Sequence, residues 1–520
     1  MRITNRKTRV TGDVVDGVRE DIEEDIRERT EAFDEAIRRF GRLVEGFADS
    51  EVEMFTITRS LWWALMVVGL RAVELIWARR RRAPDATSVR DARGNKYAYR
   101  KQKSYTLRCV FGKARVRGAQ YLRGQDGRTA DECCPQISRM GMLSIAGAFG
   151  VQLATECAHT ASRMPFDTAK SQLERRLPYV PSKRGLMGIV DHLAGDAHLV
   201  LNSLPPPRGD VLVVQFDGRG LPRISDEEYN RRCRPHTKGD EAKPRRRRNK
   251  SSYLDTKRGV GKNKTQSREV SVGIVYGLER SDGGRWEPVG DKQYFARMGD
   301  REAVMAQLSR AIEARNEAPD RVVLITDGDP HYEKLHQKYL PDAEHVVDFF
   351  HVCEYLWDAA CGLRDEHHDK KAFVGAAKDL LLDGNPEAVI AWLKMEFLEL
   401  PKRGPGTKSQ REAVKAAIDY IDDRTEKMPY DELLVEGIEI GSGAVESAVR
   451  QVVQLRFDGP GMRWGQQRPN WLLSLVCVRL SDKWRRLEQM LNRNSQSTPT
   501  QIQRMTPTGV AEARQLKSAA

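Results

Sequence analysis

Three carboxylates, far apart in the sequence, occur where divalent cations could be bound. Asp217 ends the apolar run VLVVQFD, and Asp327 ends a second run, VLITD. A carboxylate at the end of a buried strand is costly unless it caps a helix, forms an ion pair or binds a cation. Glu446, in EIGSGAVESAVRQVVQLRF, falls in the early turns of a predicted helix. Taken alone, Glu446 would more simply form a surface pair with Arg450, four residues later.

We expect Asp217 and Asp327 to meet at one edge of a sheet, because the first and fourth strands of the predicted topology are neighbours. Their charges repel unless cations or a shared proton relieve them. Asp329 competes with Asp327, but it directly precedes a proline and is assigned as a helix N-cap. Two Mg²⁺ ions need more oxygen ligands, and Glu446 is chosen as the third. Ser442 is expected to cap the helix that carries it.

The elements that would position these carboxylates alternate between strands and helices. Apolar runs predict five strands, at 211–218, 270–278, 292–299, 321–328 and 344–350. Helices are predicted at about 301–316 and 331–339, giving the order β-β-β-α-β-α-β. This order predicts an α/β fold class with an RNase H-like catalytic domain at 208–351 and 440–490. Residues 352–439, of helical periodicity, predict an inserted all-α subdomain.

The first 80 residues predict a helical arm. Apolar residues recur at helical spacing in 13–48, and residues 52–78 supply a partner helix. The arm is a helical hairpin or an oligomerisation element. The apolar run LWWALMVVGL at 61–70 is shorter than the roughly 20 residues of a bilayer span, so a buried helix is predicted rather than a membrane element.

Residues 90–200 predict a small basic DNA-binding module. Short β-type runs lie between 97 and 123, and helices at 142–158 and 166–176 could form a helix-turn-helix, although any small helical bundle gives this pattern. The chain's eight cysteines include no CxxC pair, so they are interpreted as reduced thiols. The adjacent Cys133 and Cys134 do not have zinc-ribbon spacing.

The charge balance favours acidic partners. With 87 Lys and Arg against 74 Asp and Glu, the net charge is +13, and nucleic acid is the first candidate partner, ahead of an anionic membrane surface. The beginning of the sequence lacks a secretory apolar stretch, and no P-loop motif predicts ATP binding. Residues 231–250, which include Arg245, Arg246, Arg247 and Arg248, are either a solvated loop or an arm that grips DNA phosphates. The polar tail at 491–520 is predicted to be disordered.

Four segments together resemble the transposases of bacterial ISKra-type insertion sequences, near the Mutator-like branch of DDE enzymes. The segments are DGRG at 217–220, ITDGDPHYEKL at 325–335, HVVDFFHVCEYLWDAA at 345–360 and IGSGAVESAVRQVVQLRFDGPGMRWG at 440–465. The resemblance covers roughly 200–480. The chain departs from the family in its N-terminal region, where it lacks the cysteine pairs that are common in that family.

The resemblance implies that Asp217, Asp327 and Glu446 form the DDE triad and hold two Mg²⁺ ions, for which Mn²⁺ can substitute. Asp348 and His351 match a D-x-x-H signature of such families, while a structural role that satisfies backbone groups stays open for this pair. The implied activity is metal-dependent cleavage of transposon-end DNA and strand transfer into target DNA. The alternatives are an RNase H-like nuclease and a catalytically inactive DNA-binding repressor.

The implied partners are DNA and further copies of the chain. Arg450, Arg456 and Arg463 are candidates for binding phosphates. Trp464 is expected to stack on an unpaired base or, equally, to belong to the core. A dimer or larger assembly on DNA follows from the need to bring two transposon ends together. The predicted location is the bacterial cytoplasm, at the nucleoid.

Overall fold

The computed structural model describes residues 12–82, 88–90, 94–123, 131–144, 148–223, 266–459, 462, 464–465 and 467–497 of the 520-residue chain. The predicted basic arm at 231–250 and most of the predicted tail lie outside these residues. The chain divides into two compact units, one comprising Met1–Asp196 with Trp484–Ala520 and the other Ala197–Lys483. We call them the first unit and the second unit.

The first unit begins with two long helices, α1 (Gly12–Ala48) and α2 (Met54–Arg80), which pack against each other. A role of this arm in oligomerisation stays a prediction. Buried ion pairs join the two helices. The guanidinium of Arg81 lies 2.9 Å from Asp25, and both side chains are almost fully buried. Arg29 lies 3.1 Å from Glu74. The hairpin is therefore held by charges that have lost most of their hydration and depend on each other.

Helix α2 is less buried than its sequence predicts. Its last turns pack into the first unit, where Trp77 is 1% exposed and donates a hydrogen bond to the carbonyl of Arg117 at 2.7 Å. Farther up the helix, Trp62, Leu65 and Val67 are about half exposed. The expectation of a buried helix at 61–70 is therefore wrong for much of that run. By length and composition alone, α2 would be able to span a bilayer, which is weak evidence for a membrane role.

A six-stranded sheet forms the centre of the first unit, with strand order β4-β3-β2-β6-β5 and β1 paired to β2. Its strands are β1 (Ser88–Arg90), β2 (Lys96–Cys109), β3 (Gly112–Arg123), β4 (Asp131–Cys133), β5 (Met142–Ser144) and β6 (Ala148–Gly150). The short β-type runs predicted between 97 and 123 form two long antiparallel strands, β2 and β3. Cys109, at the end of β2, pairs with Gly112, at the start of β3, across a tight turn. Gly112 has φ +128°, a conformation that favours glycine.

Helices surround this sheet. They are α3 (Pro135–Arg139), α4 (Val151–Arg163), α5 (Phe166–Glu174), α6 (Lys183–Asn202), which continues into the second unit, and α17 (Trp484–Ser497). The helix predicted at 142–158 begins only at Val151, because the preceding residues form β5 and β6. Helices α4 and α5 are separated by Met164 and Pro165 alone, so the predicted helix pair exists. Its use in DNA binding stays a prediction.

The second unit contains a five-stranded sheet in the order β11-β10-β7-β8-β9. The strands are β7 (Val211–Arg223), β8 (Gln266–Arg280), β9 (Trp286–Met298), β10 (Arg321–Thr326) and β11 (Glu344–Val347). Strands β7, β8 and β9 are antiparallel neighbours, whereas β10 runs parallel to both β7 and β11. The first and fourth strands are thus side by side, as the sequence predicts.

Helices flank the sheet and fill the segment after β11. The two crossover helices are α7 (Arg301–Glu313) and α8 (Pro330–Tyr339). After β11 come α9 (Phe349–Leu363), α10 (His367–Leu382), α11 (Pro386–Glu399), α12 (Thr407–Asp422), a 3₁₀ turn (Thr425–Lys427) and α13 (Tyr430–Glu436). The chain ends the unit with α14 (Gly443–Val449), a π-helical turn (Arg450–Gln454), α15 (Leu455–Phe457) and α16 (Arg468–Leu480). The described residues between β11 and α14 contain no strand, in keeping with an all-α insertion.

Replacing Arg81 with Met would leave Asp25 buried without its shortest charge contact. We expect the free energy of unfolding to fall by about 3 kcal/mol, the lower end of the usual cost, because Arg29 still lies 3.3 Å from Asp25. Urea unfolding followed by tryptophan fluorescence measures this. As a control, Arg38→Met removes an exposed contact to Glu35 and should change little. Equal effects of the two variants would contradict the importance of the buried pair.

Candidate active site at one edge of the second sheet

Strand pairing brings two of the candidate carboxylates to the same edge of the sheet. Gln215 of β7 is in register with Ile325 of β10, and the two strands are parallel. Asp217 and Asp327 each follow two residues later, so they lie level with each other and project on the same side of the sheet. Asp327 comes directly after the last residue of β10, where its carboxylate accepts a hydrogen bond from the Asp329 amide at 2.9 Å.

Glu446 reaches this edge because α14 is tied to β7. The side chain of Gln215 is fully buried, and its Oε1 accepts a hydrogen bond from the amide of Val445 at 2.9 Å. Its Nε2 donates to the carbonyl of Gly441 at 3.3 Å and to the carboxylate of Glu439 at 3.1 Å. Gln215 is a site residue that was not predicted from the sequence. Its signal was a lone amide in an otherwise apolar strand, two residues before Asp217, since a buried amide requires partners.

The three predicted triad residues line one cavity of about 630 Å³. Asp217 and Asp327 are half-buried, whereas Glu446 is exposed on the cavity wall. The two secondary candidates, Asp348 and His351, line the same cavity. Residues 217, 327 and 446 are more than 100 positions apart in sequence, yet the fold places them around one solvent-accessible space.

The ionised form of Asp217 is disfavoured at this edge of the sheet. Burial, followed by the nearby charges of Asp327, Glu446 and Asp348, raises the pKa of Asp217 to about 6, although a hydrogen bond from the Gly218 amide at 2.6 Å acts in the opposite direction. Burial also raises the pKa of Asp327. Without a cation, Asp217 and Asp327 ionise less readily at this edge than they would in solvent. A divalent cation would favour their ionised forms.

Asp348 fastens the segment before α14 to the start of α9. Its carboxylate accepts hydrogen bonds from the amides of Phe350 and His351 and caps α9. It also accepts from the amide of Ser442 at 2.9 Å and from the Ser442 hydroxyl at 2.7 Å. With these bonds, Asp348 satisfies backbone groups, the structural role left open by the sequence, while still lining the cavity. The Nδ1 atom of His351 lies 3.3 Å from a carboxylate oxygen of Glu354.

The two predicted helix caps have different outcomes. Asp329 is the N-cap of α8 and accepts a hydrogen bond from the His331 amide at 2.9 Å, as predicted. Ser442 occupies the N-cap position of α14, but its side chain makes no capping hydrogen bond, so that prediction is wrong. Its hydroxyl is used by Asp348 and lies 3.1 Å from the Glu446 carboxylate. Ser442 therefore links the two carboxylates.

The candidate DNA-binding residues separate into exposed and buried ones. Arg450 is exposed and lines the cavity, within a π-helical turn of a kind that often occurs at functional sites. Arg456 is 1% exposed, lies 5.4 Å from the Trp464 ring centre and has a pKa lowered by burial to about 10. Because this guanidinium cannot reach a phosphate from the core, the structure corrects the expectation for Arg456. Trp464 is 8% exposed and donates to the Phe457 carbonyl at 2.9 Å, which favours its core alternative.

The remaining predicted DNA-binding residues, Arg245, Arg246, Arg247, Arg248 and Arg463, lie outside the described residues. The cavity wall also contains Arg219 and Gln454, which were not predicted from the sequence. Arg219 is partly exposed and lies 3.3 Å from Asp458. Together with Arg450, it adds positive charge to an otherwise acidic cavity.

One comparison with known proteins identifies the class of activity. Residues 299–415 match a family model described as a transposase, the ISL3 group of DDE transposases. The match spans less than a quarter of the chain and includes Asp327, Asp348 and His351, but neither Asp217 nor Glu446. It confirms the predicted transposase function, an enzymatic cleavage and joining of DNA, and it does not single out the ISKra-type branch.

One solved structure also aligns with the chain. A Drosophila P element transposase strand transfer complex aligns at 10% sequence identity and a TM-score of 0.21, covering 70% of this chain and 85% of the other. A TM-score of 0.21 does not establish a shared fold. No curated protein matches the chain.

Replacing Asp217 with Asn should stabilise the cation-free protein at neutral pH. Because the pKa of Asp217 is about 6 in the folded chain, above its ordinary value of 3.8, its ionisation lowers stability progressively as the pH rises from about 4 to beyond 6. We expect a gain of about 1–3 kcal/mol at pH 7.5 and almost none at pH 4. Urea unfolding in EDTA measures both values.

The exposed carboxylate of Asp358, on α9, gives the matched control for this variant. Asp358→Asn should leave stability nearly unchanged at both pH values. If Asp217→Asn raised the free energy of unfolding equally at pH 4 and pH 7.5, ionisation of Asp217 would not be the cause of the gain.

Proposed function

We propose that this transposase uses Asp217, Asp327 and Glu446 as its catalytic triad, in a reaction that cuts transposon-end DNA and joins the freed end to target DNA. The single observation that carries the proposal is the convergence of these three carboxylates on one open cavity. Asp217 and Asp327 come from neighbouring parallel strands in register. Glu446 comes from α14, which is hydrogen-bonded to β7.

We further propose that the second unit is an RNase H-like domain. Numbered along the chain, its five strands lie in the order 3-2-1-4-5, with the first three antiparallel and the last two parallel to the first. An all-helical segment precedes the glutamate. Both features support the proposal, and the long motifs described above support placement near the ISKra-type enzymes.

The residues of the cavity fit Mg²⁺. The donor set consists of carboxylate oxygens, which this hard cation prefers. Burial, followed by the nearby negative charges, raises the pKa of Asp217, and a bound cation would favour its ionised form. Asp217, Asp327 and Glu446 would hold two ions, for which Mn²⁺ can substitute. When bound, such ions activate the attacking oxygen and stabilise the leaving oxygen of an in-line phosphoryl transfer.

The chain itself supplies position and charge. The Asp329 amide fixes one Asp327 oxygen, and the Gln215 and Ser442 contacts fix the approach of α14. Arg219 and Arg450, on the cavity wall, are placed to hold the phosphates that flank the scissile bond. With one site of this kind, water as nucleophile gives strand cleavage, and a 3′-hydroxyl as nucleophile gives strand transfer.

The partners are proposed from the reaction. Joining a transposon end to a target requires both DNA molecules at one site, and pairing two ends requires at least two copies of the chain. The net charge of +13 suits such polyanionic partners. ATP has no proposed role, and the proposed location is the bacterial cytoplasm at the nucleoid.

The test is an assay of cleavage and strand transfer on DNA that carries the ends of the encoding element. Asp217→Asn, Asp327→Asn and Glu446→Gln should each lower both activities on the order of 10³-fold or more, with DNA binding retained. Asp358→Asn should keep full activity. Retained cleavage in any triad variant would refute the assignment of that residue.

The same assay separates the alternatives. Pre-cleaved ends that are joined to target DNA distinguish a transposase from a nuclease that only cuts. DNA binding without either activity in the unaltered protein would favour the repressor.

A further inference from the structure

Glu333, His336 and His345 lie close together, outside the cavity that holds the acidic triad. Glu333 and His336 are three residues apart on α8, so they share a face of that helix, while His345 belongs to β11. One potential ligand atom from each residue lies within 4.8 Å of the other two. The ligands of tetrahedral zinc lie about 3.3 Å apart, so modest side-chain rotations would complete a coordination shell.

The hydrogen bonding of His336 leaves one ring nitrogen available as a ligand. Its Nε2 lies 2.8 Å from the carbonyl oxygen of Ala343. A carbonyl only accepts, so Nε2 carries the proton and Nδ1 bears a lone pair. Nδ1 is buried and has no hydrogen-bond partner among the residues that the structure describes. A buried lone pair without a donor is costly, and a metal ion is one of the few groups that satisfies it.

His345 is prepared in a similar way. Its side chain is almost fully buried, and its Nε2 lies 2.8 Å from the hydroxyl of Thr326. Its Nδ1 faces the Glu333 carboxylate at 3.2 Å. Histidines that bind metals usually have the other ring nitrogen held by a carbonyl or another polar group, which fixes the orientation of the ring. Both imidazoles here have that arrangement.

We propose that Glu333, His336 and His345 form a second metal site, distinct from the catalytic one, which binds Zn²⁺ through two imidazole nitrogens and one carboxylate oxygen. This donor set suits zinc, whereas Mg²⁺ prefers oxygen ligands alone. A solvent molecule would take the fourth position.

Lys427 is the competitor built into this site. Its ammonium forms an ion pair with the same Glu333 oxygen that faces His345. Zinc binding therefore displaces Lys427 from the carboxylate. The chain thus holds the carboxylate with an internal cation in the zinc-free form and with the metal in the bound form.

The site joins elements that position Asp327. Helix α8 supplies Glu333 and His336, β11 supplies His345, and Thr326 is the residue immediately before Asp327. Bound zinc would therefore hold α8 and β11 together beside Thr326, next to Asp327. Its role is structural, because its ligands do not line the catalytic cavity.

The experiment measures zinc binding by the full-length chain after metal removal, using competition with a chromophoric chelator. His336→Gln and His345→Gln should each lose one equivalent of tightly bound zinc, with an affinity loss greater than about 100-fold. Thr326→Val, which removes only the hydroxyl behind His345, should weaken zinc binding by about 10- to 100-fold. Lys427→Met should tighten zinc binding by about fivefold, because the competing cation is gone.

The control is His368→Gln, which changes an exposed histidine and should keep the full zinc equivalent. Circular dichroism of the zinc-free variants shows whether each one is folded, and Lys427→Met tests the site without removing a ligand. A Co²⁺ spectrum without thiolate charge transfer is expected, since no cysteine belongs to the site. Unchanged zinc stoichiometry in both histidine variants, with no effect of Lys427→Met, would overturn the proposal. The readout is metal binding, so it is independent of whether the triad assignment holds.

Discussion

The parallel pairing of β7 with β10 is the constraint on which the candidate site depends. Register between the two strands leaves Asp217 and Asp327 level with each other at one edge of the sheet. Burial and like charge then oppose ionisation there, which is why the pKa of Asp217 is raised. The remaining features of the site either bring a third carboxylate to this edge or hold the surrounding segments in place.

Polar groups buried inside the second unit perform that holding. Gln215 links β7 to α14, and Asp348 links the start of α9 to Ser442. Gly441 allows this close approach, since a Cβ there would lie 2.4 Å from the ring of Phe350. These contacts cross more than 90 residues of sequence. They let a long helical segment separate Asp348 from Glu446 without loosening the site, because buried hydrogen bonds are costly to leave unmade.

Much of this arrangement could be predicted from sequence, where local signals were strong. Apolar runs that end in aspartate predicted the strand order of the sheet and the positions of two carboxylates. Asp329, followed by Pro330, predicted the N-cap of α8. The predictions failed where several hydrogen-bonding or packing partners were available to one side chain. Ser442 bonds Asp348 instead of its own helix, and Arg456 is enclosed beside Trp464 instead of facing solvent. Tertiary packing decides both, and no local pattern encodes it.

The most direct measurement is anomalous diffraction from Mn²⁺ in crystals of the protein bound to transposon-end DNA. We expect manganese peaks within coordination distance of Asp217, Asp327 and Glu446 together, beside the scissile phosphate. Peaks coordinated by other residues, or a shell from which one of the three side chains is turned away, would contradict this expectation.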